Sequence, residues 1–408
     1  MSESVSETRA AVLTGKGTAA LATLQLYGSH AAQLIHSVFR SVSSQPATLD
    51  PGSILLGTIH DDGQSIDQVT VGCEDRNLFA IHCHGNPLIV EQIMELLQRR
   101  GATLLPAEQL LTDLWMDRGR LSAIAIEAKL ILPRAMTLLG TRLLHHQIEG
   151  GLSRKITSWQ ERRARDDLPA LQGECRELLA QRLPVKYLIH GCTVVLAGPP
   201  NSGKSTLLNC LCGQDAAVVT DVQGTTRDWI ESPCHLGSLY VTVIDTAGLD
   251  PEIIDHAIDR QAQEQTLAVL KRADLVLLVL DNSRSSVKIH PSLLETIGQR
   301  PLLPVFNKSD LPPRLDRGKL PCELRGGIPV SARNNEGVAA LIANIEAELG
   351  VKGIDAKTAV CFTERQEALL LQLQSAESSD EAEELIRRLG WDGGDDGGDR
   401  LRPTLGPL

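Results

Sequence analysis

The sequence predicts an α/β plus α protein in which a phosphate-loop sheet domain stands between two helical stretches and follows a small α/β module. Three observations predict it. The apolar run Val194-Val195-Leu196-Ala197 leads into Gly198-Pro199-Pro200-Asn201-Ser202-Gly203-Lys204-Ser205 and then into the helical run Thr206 to Cys212. Strand, glycine-rich loop and helix in that order is the context of a phosphate-binding loop. From Gly191 to Gly350 strand and helix patterns alternate at the spacing of a doubly wound sheet. Helical periodicity fills Leu121 to Ile189 and returns from Thr363 to Leu389.

Taken in order, residues 1–9 read as a loose tail. Ala19 to Leu26 reads as a strand. Ala31 to Val38 reads as a helix, with apolar steps at 31, 34, 35 and 38. Ile54 to Ile59 is a strand that ends in the turn Asp61-Asp62-Gly63. Gln68 to Val71 and Leu78 to Cys83 are short strands. Pro87 to Arg100 is an amphipathic helix, with proline suited to its first turn and Gly101 to its end. In the helical stretch, Ser158 to Asp167 is strongly charged and reads as a solvated face or loop, and Leu168 to Leu183 as one further helix. Beyond the phosphate loop, strands are expected at Leu239 to Ile244, Leu275 to Leu280 and Leu302 to Phe306. Helices follow at Thr363 to Ser375 and Ser379 to Leu389. The Gly-, Asp- and Pro-rich end, residues 390–408, reads as disordered. The expected domains are therefore 10–118, 119–190, 191–350 and 351–389.

Composition narrows the class. The 408 residues allow two or three domains. Only 3% are aromatic, so the cores are built on Leu, Ile, Val and Ala. A formal charge of −11 argues against a surface that coats nucleic acid broadly. The nine cysteines show no paired metal-ligand spacing, and Cys210 and Cys212 lie as C-x-C inside the helix after the loop. With a polar N-terminus and no bilayer-length apolar run, the expectation is a cytoplasmic protein without a membrane segment and with reduced thiols.

The candidate chemistry gathers where strands end. In the loop, N–H groups and the helix N-terminus face a polyphosphate; Lys204 is placed for the β- and γ-phosphates and the Ser205 hydroxyl for Mg²⁺. Asn201, Ser202, Gly203 and Thr206 complete this contact. Thr220-Asp221-Val222-Gln223-Gly224-Thr225-Thr226-Arg227-Asp228 is a polar, switch-like loop. Asp245-Thr246-Ala247-Gly248 follows a strand, so that Asp245 holds Mg²⁺ and the Gly248 N–H meets the γ-phosphate. Asn307-Lys308-Ser309-Asp310 follows another; the Asp310 carboxylate accepts two N–H bonds from guanine, which adenine does not offer at the same edge. Ser331-Ala332-Arg333 supplies an N–H for the guanine oxygen. Each motif is short, but the ordered set points to GTP or GDP with Mg²⁺ and to a P-loop GTPase domain.

The runs G-P-P-N-S-G-K-S-T-L-L-N, T-D-V-Q-G-T-T-R-D and D-T-A-G-L resemble the MnmE (TrmE) family of tRNA-modification GTPases. Ile81-His82-Cys83-His84-Gly85-Asn86-Pro87 is similar to that family's H-C-H-G-G-P segment. The resemblance implies a dimerising, folate-binding N-terminal α/β domain and a GTPase domain inserted in a helical domain. It implies GTP hydrolysis that depends on K⁺, with Asn201 and the carbonyls of Thr220, Val222 and Thr225 around the ion, and Thr226 beside Ser205 and Asp245 at Mg²⁺. Thr226 and Gly248 would then be catalytic. It implies a homodimer through 10–118, a flavoprotein partner of the MnmG type, and tRNA wobble uridine as the modified base. His82 and His84, on one face of a strand with Cys83 on the other, would line a pocket for a 5-formyltetrahydrofolate-type folate; structural histidines are the competing reading.

The chain also departs from the family. The water-orienting glutamate, counted on from Asp245, falls on Ala257; Glu252, Asp255 and Asp259 lie nearby, and Glu252 or Asp255 is the replacement considered. Gly15-Lys16-Gly17-Thr18-Ala19-Ala20 stands for G-R-G-G-I-G, and Leu114 to Arg120 for R-A-F-L-N-G-K. The C-terminal C-I-G-K is absent, and the last cysteine is Cys361, either a relocated functional thiol or a buried one. A regulatory or scaffolding paralogue without tRNA chemistry is therefore the alternative. A ribosome-assembly GTPase of the Era or Der type lacks the N-terminal module.

Overall fold

A computed structural model of the chain describes residues 7–15, 17–42, 49–119, 121–162, 168–213, 230–245, 269–287, 289, 294–295, 297–298 and 300–390. They form two compact units, one ending at Ser122 and one beginning at Ala123.

The first unit runs β1 (Arg9–Val12), β2 (Leu21–Tyr27), α1 (Ala31–Val38), β3 (Phe39–Ser41), β4 (Ile54–Asp61), β5 (Gln64–Asp75), β6 (Leu78–His84), α2 (Pro87–Arg99), β7 (Thr103–Leu104) and α3 (Ala107–Asp117). Its sheet has the order β3-β4-β5-β6-β2-β1-β7. Ala31, Leu34, Ile35 and Val38 form the buried stripe of α1, as their spacing predicts. Pro87 opens α2, and the Asn86 side chain accepts a 2.9 Å bond from the Leu88 N–H. Strand β1 begins at Arg9, inside the stretch expected to be a tail. It is four residues of mostly small side chains, too short to show alternation, and pairing with β2 and β7 makes it a strand.

The second unit begins with α4 (Ala123–Ile131), α5 (Leu138–Glu149), α6 (Gly151–Arg162), α7 (Leu168–Ala180) and α8 (Arg182–His190). The mixed part follows as β8 (Cys192–Ala197), α9 (Lys204–Cys212), β9 (Ile230–Leu236), β10 (Leu239–Asp245), β11 (Leu275–Asp281), β12 (Leu302–Asn307), β13 (Ile328–Pro329) and α10 (Val338–Glu348). Helices α11 (Glu364–Gln374) and α12 (Ser379–Gly390) close it.

Two helical expectations change. The charged run after Ser158 is helical to Arg162, because Trp159 extends the apolar steps of Leu152 and Ile156 into the core, where it is 2% exposed. Its indole N–H donates to Glu174 at 3.0 Å. The helix expected over 168–183 ends at Ala180, and α8 starts at Arg182. Pro184 explains the break: it has no N–H to donate, and its ring would collide with the Ala180 carbonyl if one helix continued.

The sheet of this unit has the order β13-β12-β11-β8-β10-β9. All pairings are parallel except β9 with β10. Strand β9 is absent from the expected set; it carries Pro233, which an edge position tolerates. Alternation serves both faces of the sheet. Leu275, Leu277 and Val279 of β11 join one core cluster, and Val276, Leu278 and Leu280 the other. That two-sided burial is why the strand reads as an unbroken apolar run. Helices α11 and α12 share the first cluster with α4 to α7. Arg365 and Gln366 of α11 donate to Glu127 of α4, and Arg365 also donates to the carbonyls of Arg388 and Leu389 on α12. No helix among the described residues is long and apolar enough to cross a membrane.

Candidate nucleotide-binding site

The loop between β8 and α9 is shaped by two glycines. Gly198 has φ +137°, and a Cβ there would lie 2.3 Å from the Val279 carbonyl oxygen on β11. Gly203 has φ +94°, and its Cβ would meet the Asn307 amide nitrogen at 2.3 Å. The loop thus lies against β11 and the end of β12 at distances only glycine allows. Asn201, at φ +60°, sits in the left-handed region that asparagine tolerates better than most residues.

Lys204 opens α9 and is buried. Its ammonium donates to the carbonyls of Gly198 at 2.9 Å and Pro199 at 3.1 Å, so the cation curls back over the loop. The Ser205 hydroxyl donates to Asp245 Oδ2 at 2.6 Å. Asp245 ends β10, next to β8, and is 2% exposed. Its Oδ1 has no partner among the described residues, and neither has the buried Ser202 Oγ. A buried carboxylate oxygen without a donor is costly unless a cation or proton meets it. Thr206 lies exposed in the first turn of α9.

The second half of the site comes from the ends of β11, β12 and β13. Asn307 spans both halves: its amide nitrogen donates to the Ser202 carbonyl at 2.9 Å, and its Oδ1 accepts from the Ala332 N–H at 3.1 Å. Lys308, at φ +60°, donates to the Asn201 carbonyl and to Asp281 Oδ2, both at 2.7 Å. Asp310 is exposed, and its Oδ1 accepts from the Ser331 hydroxyl at 2.7 Å. Ser331 also accepts from the Asn334 N–H, which fixes the turn that carries Ala332 and the exposed Arg333. Asn201, Ser202, Gly203, Lys204, Ser205, Asp245, Asn307, Lys308, Asp310, Ser331 and Ala332 therefore lie along one edge, at the carboxyl ends of the strands. That edge is where an open α/β sheet binds ligands. Thr220, Val222, Thr225, Thr226, Gly248, Glu252 and Asp255 lie outside the described residues.

Asp281 was not among the expected site residues. Its signal in the sequence is an aspartate closing an apolar strand. Burial pushes its carboxyl up, but the hydrogen bonds from Lys308 and Ser283 outweigh this and hold it below the usual carboxylate range.

In the first unit, His82 and His84 share a face of β6, while Cys83 turns into the core. His82 Nδ1 is 3.0 Å from Thr23 Oγ1, and His84 Nδ1 is 2.7 Å from Asp67 Oδ1. Both rings have partners within their own sheet. Among the described residues no group of three or more His, Cys, Asp or Glu side chains is placed to hold a metal ion. Burial pushes the Cys361 thiol up to about 12, and its Sγ lies 3.8 Å from the Thr363 carbonyl.

Residues 193–308 match the family of 50S ribosome-binding GTPases. The tRNA modification GTPase MnmE of Syntrophobacter fumaroxidans is 30% identical over 368 residues, which is 80% of this chain and 77% of that protein. That of Syntrophus aciditrophicus is 31% identical over 371 residues, 82% of this chain and 80% of its own length. That of Thermus thermophilus is 30% identical over 393 residues, 88% and 86% of the two chains.

Proposed function

The chain belongs to the tRNA modification GTPase MnmE family and hydrolyses GTP, and from that premise we propose that the edge formed by Gly198–Ser205, Asp245 and Asn307–Asp310 is where it does so. The observation that carries the reading is Asn307. One side chain ties the phosphate loop to the turn at Ala332, so phosphate and base are bound by one connected frame.

Within that frame the loop N–H groups and Lys204 hold the phosphates. Lys204 exchanges the carbonyls of Gly198 and Pro199 for phosphate oxygens, which are stronger acceptors for an ammonium. The Asp310 carboxylate accepts the two guanine N–H groups, and the Ser331-Ala332-Arg333 turn supplies a backbone N–H for the guanine oxygen. Ser205 and Asp245 fit Mg²⁺: a hydroxyl and a buried carboxylate with one unpartnered oxygen form a hard oxygen donor set. When bound, the ion supplies positive charge beside the β- and γ-phosphates. Thr226 and Gly248 are assigned to the same step, with Glu252 or Asp255 orienting water. Asn201 with the carbonyls of Thr220, Val222 and Thr225 is the K⁺ site in this reading; a cation there offsets charge that develops in the transition state.

We assign the cycle to wobble-uridine modification of tRNA, with an MnmG-type flavoprotein and a homodimer through residues 10–118. The three MnmE relatives support this assignment over a purely regulatory GTPase. The GTPase domain is read as inserted in one helical domain; the support is that α11 and α12 share a core with α4 to α7. A folate ligand rests on His82 and His84 sharing a face of β6, and calorimetry with 5-formyltetrahydrofolate tests it. Two assays test the rest. Hydrolysis in KCl should exceed that in NaCl, and Asn201→Ala should remove the difference. With MnmG and tRNA the chain should yield modified uridine; normal GTP turnover without it would remove the tRNA half of the reading.

A further inference from the structure

We propose that Asp281 is a positioning residue for the nucleotide: it anchors the Lys308 ammonium so that one cation braces the phosphate loop from the base-binding side. The proposal rests on the reading of 198–205 and 307–310 as the GTP site.

The β11–β12 register sets Asp281 beside Asn307, one residue before Lys308. Asp281 is a buried anion with a 7% exposed side chain, and both of its oxygens are engaged. Oδ1 accepts from the Ser283 N–H at 2.9 Å and from the Ser283 hydroxyl at 2.6 Å, which fixes the plane of the carboxylate. Oδ2 is left facing Lys308 Nζ at 2.7 Å, with Arg284 Nε farther away at 3.4 Å.

Lys308 spends its second bond on the carbonyl of Asn201, in the middle of the loop. Both residues at the ends of that bond stand at positive φ, which non-glycine residues adopt only when their surroundings hold them. A lysine side chain is long and flexible, and loses much rotamer freedom when fixed. Asp281 supplies the fixed, charged partner that makes one position of Nζ prevail, because a charge-assisted bond is about twice as strong as a neutral one. Without it the ammonium keeps only a neutral carbonyl, and the loop loses a brace at Asn201.

The test is equilibrium binding of N-methylanthraniloyl-GDP to the full chain, followed by fluorescence. Wild type, Asp281→Asn, Lys308→Met and the double variant are compared. Asp281→Asn should weaken binding about tenfold or more, the scale of one hydrogen bond to a charged group. The double variant should bind no worse than Lys308→Met alone, because Asp281 acts through Lys308; a merely structural role would make the two losses add. Ser283→Ala should cost a smaller factor, again only when Lys308 is present, and this pair decides the matter if Asp281→Asn does not fold. Additive losses, or Asp281→Asn binding as wild type does, would overturn the proposal alone. A wild-type chain that does not bind the probe would overturn the reading of the site and the proposal with it.

Discussion

Ser205 Oγ and Asp245 Oδ2 lie 2.6 Å apart, joining the first turn of α9 to the end of β10. The two residues are 40 positions apart in the chain, and the parallel pairing of β8 with β10 brings their elements side by side. The other carboxylate oxygen is buried and without a partner among the described residues, and in the proposed function it is assigned to Mg²⁺. Asp245→Asn keeps the shape and removes the charge. The Mg²⁺ concentration for half-maximal GTP hydrolysis should rise about tenfold or more, the scale of losing one charged ligand contact. A Mg²⁺ titration of the variant that overlays the wild type would contradict the assignment.

Gly198→Ala places a methyl 2.3 Å from the backbone oxygen of Val279. Backbone in a central strand has no room to yield, and φ +137° is itself unfavourable for alanine. The expected loss of stability is about 3 kcal/mol, the sum of a strained backbone and a local overpacking. Urea denaturation followed by far-UV circular dichroism should show an earlier transition; an unchanged midpoint would rule out this close approach.

Glu127 is 1% exposed and receives bonds from Arg365 and Gln366. Arg365→Met strands that carboxylate in the core, and should cost about 3–5 kcal/mol as for other buried pairs broken on one side. Adding Glu127→Gln should restore much of the loss, because the remaining group is neutral and can bond Gln366. Thermal melts of the single and double variants separate these outcomes, and a double variant no better than the single would place the loss elsewhere.

Burial holds the Cys361 thiol protonated far above neutral pH, and the thiolate is the nucleophile. Cys322 is exposed. Iodoacetamide at pH 8 should therefore label Cys322 in the folded chain and leave Cys361 unmodified until denaturant is added. Peptide mass spectrometry reads both sites, and rapid native labelling of Cys361 would show a reactive thiol there.

Asp281 also has a defined pH signature. Its folded carboxyl lies below its unfolded value, so its contribution is complete above about pH 4–5, where the unfolded carboxylate (pKa about 3.9) is ionised, and is lost as pH falls through the lower folded value. Between pH 8 and pH 5 the Lys308 brace should hold. A fall in stability over that range that Asp281→Asn abolishes would contradict the ion pair.

The phosphate loop was legible in the sequence because its chemistry is local. Two glycines, a lysine and a serine at fixed spacing, after a strand and before a helix, leave few alternatives. The N-K-S-D and S-A-R segments are local patterns of the same kind, and α1 was legible too, since its four apolar steps are its four buried residues. Strands β1 and β9 were not. One is four residues long and the other carries a proline, and each is made a strand by the neighbour it pairs with. The break between α7 and α8 was written in Pro184, but apolar periodicity continued across it.

By itself, then, the sequence determined that a nucleotide is bound, and through the order of its motifs that the base is guanine, because those motifs lie within single loops. Tertiary structure alone decided that Asn307 spans both halves of the site, that Asp281 anchors Lys308 and that Glu127 is met by Arg365. Each of these joins residues from different elements. Such pairs depend on strand order, register and helix packing, which no local pattern of residues encodes.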